Sequence, residues 1–219
     1  MLRSLPFILL SPILVAAPVP PDDDAARIRR TFGSPYDPDH QFRFTMEKNA
    51  LRIAVPALKV DQIDGPNLPR SARVWREVEG DFTVAVRATI AGKANDGVAA
   101  IEGLVVFADF GEHIVLGREL LFNNGTTHEI IHLVYSYDGT TRRAHNESRE
   151  PREAAFLRMK REGTQVSTAF SRDGKEWTEF FADGIDWKGA LKVGVYAKNL
   201  KGEAFTAVFD QYALMQTKK

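Results

Sequence analysis

Cysteine is absent from the 219 residues of this chain. Disulfide bonds, Cys-ligated zinc, thiol nucleophiles and a lipid-anchored N-terminal cysteine are therefore excluded. A surplus of one charge is also missing, because 29 basic residues balance 29 acidic ones. This balance argues against a nucleic-acid-binding surface built on bulk basicity and against a disordered polyanion. Beyond the extreme N-terminus, the chain lacks an apolar run long enough to span a bilayer.

The N-terminus has the features of a secretory signal. Arg3 supplies the positive start, residues 5–15 form a short apolar run, and Val15-Ala16-Ala17 offers small residues for cleavage. We therefore predict that residues 1–17 are a signal peptide and that the mature protein is secreted or periplasmic, with no membrane span left after cleavage. Residues 18–31 are predicted to form an N-terminal spacer that contains a short turn of helix.

Apolar and polar residues alternate along most of the chain after residue 40. Between Asp81 and Ile90, for example, the apolar side chains fall on one face of an extended chain. Turn signals such as Asp138-Gly139, Asp173-Gly174 and Lys201-Gly202 separate such runs. About twelve strands follow from these rules, near 41–47, 50–56, 71–78, 81–91, 99–109, 112–119, 128–137, 153–161, 164–171, 175–182, 190–198 and 204–214.

The same pattern predicts an all-β fold. No stretch has the 3.6-residue period of a long amphipathic helix, and no linker divides the chain after the spacer. Many short strands with regular turns favour an antiparallel two-sheet jelly-roll sandwich. We predict a single domain over residues 32–219.

Several motifs together resemble one family. They are Phe32-Gly33-Ser34-Pro35, Leu68-Pro69-Arg70, the segments 74–83 and 171–178, and the closing Phe209-Asp210. Their order resembles the concanavalin A-like jelly rolls of uncharacterised function that include the "regulation of enolase" proteins. It is similar as well to the accessory C-terminal domain of some β-xylosidases. The resemblance covers roughly residues 32 to 214 and implies the concanavalin A-like fold, but it implies no particular activity.

The segment His128-Glu129-Ile130-Ile131-His132 matches the H-E-x-x-H pattern of zinc metalloproteases. That chemistry needs a helix, on which both imidazoles reach one zinc ion. Here the flanking residues predict a strand, on which the two histidines would lie about 13 Å apart and Glu129 would point to the opposite face. We therefore interpret them as two half-exposed strand histidines and predict no metal ligands.

Carboxylate pairs offer an enzymatic alternative. A glycosidase needs two acids that face each other across a groove, about 5 to 10 Å apart. Glu102, Glu119 and Glu129 lie in predicted strands, but nothing in the sequence pairs them. A glycoside hydrolase or lyase that uses Glu102 or Glu119 on the concave sheet therefore remains the alternative to a non-catalytic protein, and we predict no catalytic residues.

Aromatic residues are the candidates for sugar binding, because their faces stack on pyranose rings. Trp75, Trp177 and Trp187 occupy apolar or turn positions that favour packing. Tyr196 alternates with Val193 and Val195, so its side chain is expected to face away from them, toward a groove. We predict a ligand-binding face on one concave sheet, with Tyr196, Tyr135 and Glu102 as its residues.

The predicted function is therefore a secreted, non-catalytic β-sandwich that binds carbohydrate or another extracellular polymer. No cofactor is predicted. Calcium binding stays an open alternative, because several acids lie in predicted loops, although no loop has EF-hand spacing. These acids are Asp37, Asp39, Asp61 and Asp64. Nucleic acid is not expected as a partner, and net neutrality supplies no electrostatic clue to any other partner or to the oligomeric state.

Overall fold

The computed structural model describes residues 23–57, 71–91, 99–109, 111–123, 125–137, 139–149, 153–181 and 186–217, without the side chains of 122–123, 143–149, 181 and 201. The predicted signal peptide, 1–17, lies outside these residues. So do the Leu68-Pro69-Arg70 motif and the loop acids Asp61 and Asp64.

The described chain forms one helix and fourteen antiparallel strands in two sheets. The first sheet has the spatial order β1-β4-β13-β6-β7-β8-β9, with β1 (Ser34–Tyr36), β4 (Ala72–Val78), β6 (Ala99–Phe107), β7 (His113–Asn123), β8 (Thr126–Tyr137), β9 (Thr140–Arg149) and β13 (Leu191–Lys201). The second sheet has the order β12-β11-β10-β5-β14-β3-β2, with β2 (Arg43–Glu47), β3 (Ala50–Val55), β5 (Asp81–Ala91), β10 (Ala155–Glu162), β11 (Gln165–Ser171), β12 (Trp177–Phe181) and β14 (Phe205–Thr217). The predicted jelly-roll sandwich is confirmed.

All twelve predicted strands are present, and the sequence analysis missed two. β1 has three residues and contains Pro35, so it gives no alternation to detect. β9 is polar almost throughout and lies at the edge of the first sheet, where β8 is its one partner among the described strands. An edge strand with no apolar face carries no periodic signal, which is why β9 was not predicted.

The two sheets differ in how their faces are used. The main core lies between the sheets and takes alternate residues from both of them. Strands of the second sheet turn their other residues toward solvent, as in β5, where buried and half-buried positions alternate. In the first sheet, every residue of β6 is buried. A smaller apolar cluster on the far side of that sheet accounts for this, and it consists of Ile101, Val105, Phe107, Val115 and Tyr196.

The helix α1, Asp24–Thr31, confirms the predicted turn of helix in the spacer. Asp23 caps it by accepting a hydrogen bond from the Ala26 amide at 2.7 Å. Ile28 is 1 % exposed and belongs to the main core, so this part of the predicted spacer packs on the sandwich. At eight residues, α1 is far too short to cross a bilayer, and the described residues contain no other helix.

Candidate functional site

A row of four residues crosses the centre of the first sheet on the face that points away from the second sheet, called the outer face below. Tyr196 of β13 is the register partner of Gly103, Gly103 of Gly117, and Gly117 of His132. Direct partners in antiparallel strands share a face. The adjacent residues point the other way and lie in the main core; they are Val195, Leu104, Leu116 and Leu133.

Gly117 makes room for two side chains to meet. A Cβ atom at this position would lie 2.3 Å from His132 Nε2 and 2.5 Å from Tyr196 Oη. The imidazole and the phenol therefore converge above the same backbone atom. A side chain larger than hydrogen at position 117 would push them apart, so we assign the glycine to the close approach of these rings.

His132 continues this contact to an acid. Its Nδ1 atom lies 3.6 Å from Glu119 Oε2, which is an ion-pair distance when the imidazole is protonated but too long for a hydrogen bond. Tyr196, His132 and Glu119 are exposed by 3, 3 and 6 %. The three groups thus form a buried polar chain on the outer face. Their low exposure limits the contact of an arriving substrate with them in this structure.

Other ionisable residues are buried on the same face. Arg73, the register partner of Tyr196, is 0 % exposed, and His113 and Lys198 are 4 and 8 % exposed. Charged side chains are seldom this buried unless they are paired. The outer face of the first sheet therefore carries buried ionisable side chains beside the smaller apolar cluster.

Arg73 is surrounded by aromatic rings near the edge of this face. Its guanidinium carbon lies 4.6 Å from the ring centroid of Tyr36, 5.6 Å from that of Trp75 and 5.7 Å from that of Phe107. These distances are typical of cation–π contacts. Burial lowers the pKa of Arg73, and the Tyr36 side chain partly offsets that effect. Trp75, predicted to pack, is half-buried against the smaller apolar cluster, and it lies on the outer face because its position in β4 alternates with Val74.

A second cation lies over the same rings. Lys192 Nζ is 5.5 Å from the centroid of Phe107 and 5.8 Å from that of Trp75. The lysine is half-buried, and its register partners are Glu77 and Phe107. We call Tyr36, Trp75, Phe107, Arg73 and Lys192 the aromatic–cation cluster.

The hairpin between β11 and β12 carries the predicted aspartate turn. Asp173 accepts hydrogen bonds from the amides of Lys175 and Glu176 and from Ser171 Oγ, at 2.8 to 3.0 Å. Those donors lower the pKa of Asp173, with the Glu176 amide contributing most. Gly174 has the positive φ of 75° that the turn requires. The predicted turn is confirmed, and these bonds engage its carboxylate.

Beside this turn lies an open cavity of about 500 Å³. Its lining includes the half-buried indole of Trp177 and the exposed side chains of Arg172, Glu176 and Thr178. Arg158 lies 4.3 Å from the centroid of Trp177 and donates a hydrogen bond to Glu179 at 3.2 Å. The indole is thus supported from the sheet while it borders the cavity. We call this site the Trp177 cavity.

Between the sheets, three charges are buried together. Arg118 Nη1 donates to Glu102 Oε1 at 3.0 Å, and Arg118 Nη2 lies 3.6 Å from Glu129 Oε2. Their side chains are exposed by no more than 2 %. Burial raises the pKa of Glu102 to about 7, although Arg118 acts in the opposite direction. We call these residues the core triad.

The raised pKa makes part of the stability depend on pH. Glu102 binds its proton more tightly in the folded state, so its contribution is complete below about pH 4.5 and is lost as the pH rises toward 7. We expect Glu102→Gln, which mimics the protonated acid, to match the wild type at pH 4 and to be more stable by about 3 kcal/mol at pH 8. Urea unfolding at both pH values measures this difference. Parallel pH profiles would contradict it.

The structure separates the three predicted ligand-binding residues. Tyr196 faces away from Val193 and Val195, as expected, but it is buried. Tyr135 was expected on the same groove as Tyr196; this placement is wrong, because Tyr135 is three residues from His132 along β8 and packs in the main core. Glu102 lies in the core triad instead of facing a groove. A role for any of the three in ligand binding stays a prediction.

The carboxylates do not form a groove pair. Glu102 and Glu129 share Arg118 inside the sandwich, whereas Glu119 lies on the outer face beside His132. Glu102 and Glu119 therefore point to opposite sides of the first sheet. In the described part of the chain, no two of these three carboxylates face each other across an open cleft.

The H-E-x-x-H segment lies in strand β8, as its flanking residues predicted. His128 is exposed, Glu129 points into the core triad, and His132 is buried on the outer face. The expectation that both histidines are half-exposed is wrong, because the outer face is covered at His132. Among the described residues, no group of three His, Asp or Glu side chains is arranged to hold a metal ion.

Sequence reasoning missed the Trp177 cavity and the aromatic–cation cluster. The sequence held a signal for the Trp177 cavity, since Trp177 follows a turn at the start of a predicted strand, a position close to solvent. Trp187 was assigned correctly to packing: it is 2 % exposed, and its Nε1 donates to Glu112 at 3.0 Å.

No protein-family profile and no curated protein matches the sequence. Solved structures match the fold. A functionally unknown protein from Saccharomyces cerevisiae superposes with a TM-score of 0.64 and 15 % identity, over 85 % of this chain and 97 % of that one. A legume lectin-like domain from Entamoeba histolytica has a TM-score of 0.55 and 11 % identity, over 87 % of this chain and 92 % of that one.

The fold also occurs within larger proteins. A GH43 protein from Bacillus licheniformis has a TM-score of 0.58 and 17 % identity, over 85 % of this chain but 36 % of that one. The chain therefore spans about a third of that protein. At these identities the likeness concerns the fold alone, and the predicted concanavalin A-like sandwich is confirmed at that level.

Proposed function

We propose that this chain is a secreted, non-catalytic β-sandwich that binds carbohydrate, and that the saccharide occupies the Trp177 cavity. The observation that carries the proposal is an indole that borders an open cavity of about 500 Å³ among polar side chains. Aromatic rings offer an apolar face to the C–H groups of a sugar, and neighbouring polar groups bind its hydroxyls. Arg172 supplies hydrogen-bond donors, Glu176 supplies acceptors, and the Thr178 hydroxyl can do both.

The surroundings of Trp177 favour binding over simple packing. Arg158 and its partner Glu179 support the indole from the sheet, so little side-chain entropy remains to be lost when a ligand binds. The hydrogen bonds of Asp173 fix the turn that forms one wall of the cavity. The same sandwich fold occurs in a domain described as lectin-like and in GH43 proteins, which supports a carbohydrate as the ligand. Secretion rests on residues 1–17 of the sequence.

Replacement of Trp177 tests the site. We expect Trp177→Ala to weaken binding of the preferred polysaccharide by about tenfold or more, because the stacking surface is lost. A glycan array and a pull-down with insoluble xylan and cellulose, run first with calcium and then with EDTA, identify the ligand. Isothermal titration with soluble oligosaccharides of that ligand then compares the variants.

Two controls locate the ligand. Met215→Ala changes an exposed side chain, 63 % accessible, elsewhere on the second sheet and should leave binding unchanged. Tyr196→Phe removes only the phenol oxygen from the outer face of the first sheet. Loss of binding in Tyr196→Phe, with full binding in Trp177→Ala, would move the site to the first sheet and refute the assignment to the cavity. Absence of binding to every glycan would refute the function itself.

A further inference from the structure

We propose that the aromatic–cation cluster is a second saccharide-binding site, and that it takes sugars that carry a carboxylate. The cluster lies on the first sheet, whereas the Trp177 cavity lies on the second. The inference shares with the proposed function only the chemical class of the ligand. It is based on the observation that Tyr36, Trp75 and Lys192 are half-buried, so that part of each residue is accessible to a ligand.

Lys192 differs in its partners from three cations of the described chain that form ion pairs. Arg87 binds Asp210, Arg158 binds Glu179 and Lys160 binds Glu162, each at 3.2 Å or less. The contacts of Lys192 are the rings of Trp75 and Phe107. An aromatic ring attracts a cation through its quadrupole but does not neutralise it. These rings therefore leave the charge of the Lys192 ammonium available to an anion.

Arg73 adds to the positive potential at the same rings. Its guanidinium is buried beneath Tyr36, Trp75 and Phe107, so it acts on a ligand through space and not by direct contact. One exposed acid lies on the adjacent strand: Glu77, the register partner of Lys192. The cluster itself contains two cations and no acid, on a chain whose charges balance as a whole.

The geometry of the rings suits a sugar. Tyr36 and Trp75 lie 5.1 Å apart with their planes tilted by 38°. Two adjacent, partly exposed rings present an apolar surface to C–H groups, and the Lys192 ammonium lies at its border. A sugar carboxylate placed there gains a charge-assisted hydrogen bond that its neutral counterpart cannot form.

Oligogalacturonate and its methyl ester form a matched pair of probes, because the ester keeps the sugar and removes the charge. We expect the acid to bind about tenfold more tightly than the ester to the wild type and to Trp177→Ala, which removes the other site. Isothermal titration measures both affinities. In Lys192→Gln the difference should fall below about threefold, and Lys192→Arg should preserve it.

Glu77→Gln should change the affinity for oligogalacturonate in the direction opposite to Lys192→Gln. Removal of this acid should tighten binding of the oligogalacturonate by about twofold to threefold at low salt, and the gain should shrink as salt is added. Sodium acetate, as a free carboxylate without a sugar ring, should not compete at equal concentration. Competition by acetate would show a simple anion site and overturn the saccharide assignment.

The outcome separates this inference from the proposed function. Equal binding of the acid and the ester, no binding of either, or an unchanged preference in Lys192→Gln would refute the carboxylate site. None of these results affects binding of a neutral glycan that depends on Trp177. Thermal unfolding of each variant confirms folding, and the partly exposed positions of Lys192 and Glu77 make both substitutions compatible with a folded protein.

Discussion

Arg118→Met is expected to lower the free energy of unfolding by about 3–5 kcal/mol at pH 8. Arg118 bonds Glu102 at 3.0 Å and lies 3.6 Å from Glu129, in a part of the core where these side chains are almost completely buried. Removal of the cation leaves two carboxylates in a low-dielectric interior without compensation. Urea unfolding followed by circular dichroism measures the loss.

The pH dependence of this loss identifies its cause. Arg118 is the largest influence that lowers the pKa of Glu102, so its removal raises that pKa above about 7. The protonated acid is tolerated in the core, and the cost of Arg118→Met should therefore shrink as the pH falls to 5. A cost that is equal at pH 5 and pH 8 would indicate lost packing instead of buried charge.

Two further variants keep the prediction testable if Arg118→Met fails to fold. Arg52→Met breaks an exposed ion pair with Glu47 at 3.1 Å and should cost less than about 1 kcal/mol. A chain that combines Arg118→Met with Glu102→Gln and Glu129→Gln removes all three charges together, and it should recover most of the stability. A triple variant no more stable than Arg118→Met would contradict the electrostatic explanation.

The fold was predictable because alternation records which face of a strand is buried. β5 shows this most clearly, since its predicted and observed bounds agree and its buried residues alternate. β9 was not predictable, because its polar sequence contains no apolar face. The element that the alternation rule misses is thus an edge strand whose sequence has no apolar face.

The site was harder to predict for a related reason. Alternation assigned Tyr196 correctly to the face opposite Val193 and Val195, but it could not reveal that this face is buried as well. In a sheet that is buried on both sides, the two faces no longer differ in polarity. Glu102 and Tyr135 were therefore placed on a groove, although they lie in the core. Contacts across strands, such as Arg118 with Glu102, depend on a register that the sequence does not show.

Register also explains a glycine that no turn requires. Gly194 lies within β13, where it is the register partner of Trp75. A Cβ atom at this position would lie 1.9 Å from the carbonyl oxygen of Val74 and 2.8 Å from Trp75 Cα. Both atoms belong to the backbone of β4, so no side-chain rotation can relieve the clash. We expect Gly194→Ala to lower the free energy of unfolding by about 3 kcal/mol or more.

The matched control for this change is Gly111→Ala, where the nearest atom to an added Cβ is Asp109 Oδ1 at an ordinary 3.4 Å. It should alter stability by no more than about 0.5 kcal/mol. Because β4 also carries Trp75 and Arg73, separation of β4 from β13 in Gly194→Ala should shift the fluorescence of the aromatic–cation cluster as well. Wild-type stability and an unchanged spectrum in Gly194→Ala would show that the two strands can separate at little cost, and the close backbone approach would then not explain the glycine.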